Sequence, residues 1–209
     1  MEAVARAYMR WKLPRTEKER KKALEEALET VTYYAQRNDS HGLPAAAVLF
    51  NIGLHLLLAE RDIQAIKIDA LTHPDEWTRK LHTRTIAMTI YEWKFDNVTG
   101  QALRKALELI DTPDELKAEI TAALRHLRKV QERVESHFGM LRNKTIAHRD
   151  PDALLVYRAI RDLKTMEVIH QAADFYEGVS MFLRALTKVM NHSSSFDSIL
   201  RQWSARQLT

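Results

Sequence analysis

Residues 140–150 read Met-Leu-Arg-Asn-Lys-Thr-Ile-Ala-His-Arg-Asp and crowd Arg142, Asn143, Lys144, His148 and Arg149 into one short run. Histidine is the side chain whose ordinary pKa lies near neutrality, so it can take up or release a proton. Arginine presents a planar fork of donors suited to oxyanions. A helix end also collects basic residues for a simpler reason, because the helix dipole stabilises cations there. Five residues separate Arg142 from His148, a spacing that arises readily by chance. Their placement has to carry any functional reading.

The other chemistry-bearing residues assemble no site. Nine histidines invite a metal, but a di-iron bundle needs Glu-x-x-His on two helices and two further carboxylates. Glu167-Val-Ile-His170 is a single copy, and no other histidine follows an acidic residue at that spacing. There is no His-Glu-x-x-His zinc motif and no EF-hand loop. With no cysteine there is no thiolate chemistry either. No metal and no cofactor are expected. Neither glycine-rich phosphate loop occurs, and five glycines could hardly build one. Ser193-Ser194-Ser195 follows His192 in a terminal break with no flanking strand, so it reads as a linker and not as a nucleophile elbow. His55, on an apolar helix, reads as a core or surface residue.

The elements that position the basic run are helical. After an N-terminal turn, Thr16 and Glu19 have the spacing of a capping box that opens a helix to about Arg37. Asn38–Gly42 is turn chemistry. A second helix starts near Leu43-Pro44 and passes through the apolar run 43–59 towards Leu71, with a break expected around Glu60-Arg61-Asp62. Thr72–Glu76 is a start signal with Pro74 near a first helical position. The helix from Trp77 to Val98 offers Leu81, Ile86, Ile90 and Trp93 as buried residues, and a shorter one runs from Gln101 to about Ile110. Thr112 and Glu115 repeat the capping spacing. From there Leu116, Ile120, Ala123, Leu127, Val130, Val134 and Leu141 recur at helical spacings, the clearest stripe in the chain. It predicts the longest helix, about 30 residues and roughly 45 Å, ending near Ala147. Asp150-Pro151 caps a helix resumed by Ala153, irregular near Arg161-Asp162 and continuing to about Val189. A break at Ser193–Ser195 precedes a last helix holding Ile199 and Trp203. No alternating strand pattern, repeat or interdomain linker is found. The expectation is a single all-α domain over residues 1–209, a helical bundle.

Steps of seven along the stripe give Ile120, Leu127, Val134, Leu141 and then His148, so imidazole arrives where another apolar residue is due. Arg142 lies about 100° round from Leu141, on the flank of that face. One reading is structural: His148 is a helix-end histidine held as a cation by the dipole, and Arg142 pairs with an acidic neighbour. The other is a site.

At these residues the sequence resembles the HEPN superfamily of helical nucleotide-binding and RNA-cleaving domains. Its hallmark is Arg, four to six residues, then His, often with a polar residue directly after the arginine. Arg142-Asn143-Lys144-Thr145-Ile146-Ala147-His148 fits, and the wording is similar to HEPN proteins of phage abortive-infection systems. The likeness covers about residues 70–190: a helix around Thr83–Lys94, a long helix ending in the motif, and another long helix after it. Residues 1–70 would be an N-terminal helical extension. The resemblance implies a metal-independent endoribonuclease of a toxin or antiphage system, acting as a homodimer whose two motifs share a cleft. Arg142 and His148 would be the catalytic pair, Asn143 the supporting polar residue, and Lys144 and Arg149 further substrate contacts. On one helix the pair is separated by about 9 Å along the axis and about 120° around it, so one copy makes a divergent site. The histidine would move the proton of the 2′-hydroxyl or of the leaving oxygen, and the arginine would stabilise the charged phosphorane. A 2′,3′-cyclic phosphate would result. One HEPN subset carries an AMP-accepting tyrosine two residues after the histidine; here that position is Asp150, and the next tyrosine is Tyr157. Many HEPN domains bind RNA, a nucleotide or a partner protein without cleaving. That reading stays open, as does a helical scaffold with a structural ion-pair cluster.

Composition sets the remaining bounds. The chain has 209 residues, 45% hydrophobic, and a formal net charge of +4, which permits an anionic partner such as RNA without demanding one. The most apolar run is shorter than the roughly 20 residues that cross a bilayer, so no membrane partner is expected. The lack of cysteine and of signal-peptide order suits a cytoplasmic protein. An antitoxin or another defence-system protein is the expected protein partner.

Overall fold

The computed structural model describes the backbone of residues 2–93, 99–142 and 151–206. Among these residues there are nine helices and no strand, the expected all-α class. In chain order they are α1 (Glu2–Thr16), α2 (Lys18–Ser40), α3 (Pro44–Thr72), α4 (Glu76–Glu92), α5 (Gly100–Leu109), α6 (Asp114–Arg142), α7 (Ala153–Arg161), α8 (Thr165–Ser193) and α9 (Phe196–Arg206).

Helix ends follow local chemistry, though not always at the residues expected. The N-terminal turn is a full 15-residue helix. The Thr16 hydroxyl donates back to the Leu13 carbonyl at 2.9 Å, closing α1 instead of capping α2. α2 ends three residues later than expected in a Schellman arrangement: Gly42 N–H reaches the Asp39 carbonyl and Leu43 N–H the Asn38 carbonyl. Gly42 sits at φ 68°, left-handed backbone that glycine adopts without a Cβ penalty. The same closure ends α5, with Asp111 at φ 51° and Thr112 N–H bonded to the Leu107 carbonyl. Thr112 therefore belongs to that closure. Its buried hydroxyl has no hydrogen-bond partner among the described residues, so it is not the cap of α6.

α4 is capped by Asp75, whose carboxylate accepts from the N–H and the hydroxyl of Thr78, both at 2.7 Å. These two bonds hold the Asp75 pKa below the usual carboxylate range. α7 is capped by Asp152, which accepts from the N–H groups of Leu154 and Leu155. The expected cap, Asp150, lies outside the described residues, as does the expected helix end near Ala147. α3 runs without the expected break, because buried Ala59 and Ile63 carry its apolar face past Glu60-Arg61-Asp62. α3 and α8 each span 29 residues, the same number as the described part of α6.

The chain divides into two compact units. The first comprises residues 1–23, 59–93 and 129–176. Ile63, Ile86, Ile90, Val130, Val134 and Phe175 are buried in it. In α4 the inward positions are Thr83, Ile86, Ala87 and Ile90, whereas Leu81 is 43% exposed against expectation. Thr83 satisfies its buried hydroxyl through the Arg79 carbonyl and the Thr165 hydroxyl. Lys80 donates to the Leu163 carbonyl, joining α4 to the turn between α7 and α8.

The second unit comprises residues 24–58, 94–128 and 177–209. Leu49, Ile52, Leu56, Leu127, Phe182 and Leu186 are fully buried there. Gln202 of α9 is also buried, and its side-chain oxygen accepts from the N–H groups of Ala45 and Ala46 at 3.1 and 3.2 Å. It thereby satisfies two donors in the first turn of α3, which α3 cannot satisfy itself.

Candidate functional site

The helix that leads into the basic run is built, over its described residues, as the periodicity predicts. Ile120, Ala123 and Leu127 are buried in the second unit, and Val130 and Val134 in the first. Phe138, 5% exposed, takes the next inward position. On the flank of that face, Arg133 forms an ion pair with Asp174 of α8 at 2.8 Å. Gly139 packs close to Tyr91 of α4. His137 is exposed, and its Nδ1 lies 2.7 Å from the Arg133 carbonyl, a bond that requires the proton on Nδ1. These contacts fix the last turns of α6 in the first unit.

Arg142 is the last residue of α6 as described, and nothing is described of its side chain. Asn143, Lys144, His148 and Arg149 lie outside the described residues. The structure thus supplies the helix leading into the motif and, from Asp152 onward, the capped helix leading away from it.

The discarded alternatives have concrete fates. Among the described residues no group of three or more His, Asp or Glu side chains could hold a metal ion. Glu167 pairs with Lys164 at 2.8 Å, and His170 is exposed. Ser193 and Ser194 donate to the Met190 carbonyl, and Ser195 caps α9 by accepting from the Ser198 N–H. His192 Nε2 donates to the carbonyls of Ile110 and Asp111 at 3.0 and 3.2 Å, which fixes its tautomer. Each group serves a helix end. No helix among the described residues is long and apolar enough to cross a membrane.

The first unit holds one polar cluster that the sequence did not suggest. Arg20 pairs with Glu60 at 2.7 Å while its guanidinium lies 4.4 Å from the Tyr176 ring centroid. Lys67 sits over the same ring and pairs with Glu17. Burial works against the Arg20 charge, but the hydrogen bond and charge of Glu60 outweigh it and raise the Arg20 pKa. Burial pushes the Tyr176 phenol well above its ordinary value. With both cations matched by carboxylates, the cluster ties α2, α3 and α8 together and presents no reactive group.

In the second unit a cavity of about 330 Å³ opens between α5 and α6. Its floor is Leu103, Leu107 and Ile120, and Arg104, Lys117, Arg128 and Glu108 stand around it. Arg104 lies 3.9 Å from Glu108 and Lys117 3.1 Å from Asp114, so these rim charges balance within their own helices. Comparison with protein-family models, curated proteins and solved structures finds no match to this chain.

Proposed function

We propose that this chain is a HEPN-like, metal-independent endoribonuclease of a toxin or antiphage system, working as a homodimer. The observation that carries the reading is the course of α6: a helix anchored by Val130, Val134 and Phe138 leads directly into Arg142, the first residue of the Arg-x5-His motif. The helix order is consistent with it. α4, α6 and α8 follow the layout the resemblance implies, within a HEPN-like core of about residues 70–190.

In this reading His148 moves the proton of the 2′-hydroxyl or of the departing 5′-oxygen. Arg142 bonds the phosphorane oxygens as negative charge develops. Asn143 supports the pair, and Lys144 and Arg149 hold neighbouring phosphates. A two-fold axis brings a second motif to the same phosphate and relieves the divergence of Arg142 and His148 in one copy. An antitoxin or other defence-system protein would be the chain's protein partner.

The test is incubation of the purified protein with structured and unstructured RNA in EDTA. Cleavage leaving 2′,3′-cyclic phosphate ends supports the reading. RNA bound but left intact supports a non-catalytic HEPN-like module, and the absence of both leaves only a helical scaffold.

A further inference from the structure

α1 is assembled the wrong way round for a helix that only packs. Its half-buried positions are Arg6, Met9 and Leu13. On the helical wheel Val4, Tyr8, Trp11 and Arg15 fall within about 60° of one another, about 160° away from those three. Val4 is 75%, Tyr8 54% and Trp11 59% exposed. The largest apolar side chains of α1 therefore point to solvent. The rings form a local array: Tyr8 and Trp11 have centroids 6.2 Å apart, with the Arg15 guanidinium 3.9 Å from the indole centroid and Lys12 over the Tyr8 ring.

Charge is concentrated at the same place. Residues 6–22 hold eight Lys and Arg against two Glu, a net +6, whereas the whole chain carries +4, so the remaining residues are net −2. Arg20 is committed to Glu60, but Arg10, Lys12, Arg15 and Lys18 are exposed. Such localisation points to an anionic partner.

We propose that the outward face of α1, with the basic run into α2, docks single-stranded nucleic acid, with bases stacked on Tyr8 and Trp11 and phosphates held by the flanking cations. Alternating rings and cations are what an unpaired strand offers a match for, since every base has a π-face and every nucleotide a phosphate. A lipid surface fits less well, because seating this face among acyl chains would bury the Arg15 guanidinium that lies on the indole. A second copy fits less well, because it would bring two segments of net +6 together. This surface uses none of the motif residues and goes beyond the ribonuclease reading.

The test is fluorescence anisotropy of the full chain with a labelled oligothymidylate, from about 50 to about 200 mM salt. DNA lacks the 2′-hydroxyl, so binding is read apart from any cleavage, and failure here is distinct from failure of the ribonuclease reading. The double variant Tyr8→Ala, Trp11→Ala should bind about 10-fold or more weakly, and Trp11→Phe, which keeps a ring, should stay within about threefold. Lys12→Ala with Arg15→Ala should lower the salt slope by about 1.4, or about 0.7 per phosphate contact. Circular dichroism melting of each variant checks the fold. Three results would each overturn the proposal: no binding at about 50 mM salt, binding unmoved by loss of both rings, or tighter binding to phosphatidylserine vesicles than to the oligonucleotide.

Discussion

Gly178 of α8 faces Leu127 of α6 so closely that a Cβ on the glycine would stand 2.5 Å from Leu127 Cδ2 and 2.8 Å from its Cγ. Leu127 is fully buried and cannot swing clear. The missing side chain is what allows the two helices to approach. Replacing a helical glycine by alanine ordinarily gains about 1 kcal/mol, whereas forcing a methyl group into a packed core costs about 1–3 kcal/mol. Overpacking wins, so Gly178→Ala should lower the urea midpoint. In a Leu127→Ala background the loss should shrink without vanishing, because His126 Cδ2 would still stand 2.8 Å from the new Cβ. Equal effects in both backgrounds would show that the contact does not govern the packing.

The fold class and the α6 stripe were legible because both rest on local periodicity, which burial of Ile120, Leu127 and Val134 follows. The caps were less legible. Thr16 and Thr112 both precede Glu at capping-box spacing, yet one hydroxyl closes the previous helix and the other is buried in a Schellman turn. A threonine can serve either side of a break, and sequence does not say which. Leu81 was misplaced because Thr83 occupies an inward position that hydropathy assigns outward. α1 escaped notice because its aromatic side faces away from its packed side, although counting charge over residues 6–22 would have exposed it. Of the candidate site, the structure adds the helix that leads into Arg142. The other motif residues lie outside what it describes.

Gln202 illustrates what no local pattern reveals. Its partners Ala45 and Ala46 lie 157 and 156 residues away in sequence. Gln202→Met keeps the volume and removes the acceptor, leaving two N–H groups of α3 unmatched in a buried setting. At about 1–3 kcal/mol for each unsatisfied buried group, the two together give an expected loss of about 2–6 kcal/mol by urea denaturation. A change below about 0.5 kcal/mol, typical of a surface position, would mean that water replaces the amide oxygen.

Tyr176 makes stability depend on pH at the alkaline end. Burial raises its folded-state pKa above the ordinary tyrosine value. The group therefore contributes stability that is fully present below about pH 10 and is lost as pH rises towards the folded value, because unfolding releases the phenol to ionise. Tyr176→Phe should flatten the alkaline fall in melting temperature. It should leave the tyrosinate absorbance of the folded protein unchanged, because Tyr176 keeps its proton while buried. Loss of part of that absorbance in the variant would show that Tyr176 titrates while folded.

The motif makes the sharpest forecast. With His148 as acid or base, His148→Ala should slow RNA cleavage by about 10²-fold or more. Arg142→Ala should be comparably damaging, and Arg142→Lys should rescue little, because lysine lacks the bidentate fork that meets two phosphorane oxygens. Lys144→Ala should lower the salt slope of RNA binding by about one unit and leave the chemistry in place. Light scattering should find a dimer for the wild type and for each variant, since the composite site needs two chains whether or not it is active. A purely structural ion-pair cluster predicts otherwise: both substitutions would shift stability by about 1–2 kcal/mol and leave any activity alone. Cleavage retained by a folded, dimeric His148→Ala protein would remove histidine from the mechanism, and a monomer at micromolar concentration would remove the composite cleft.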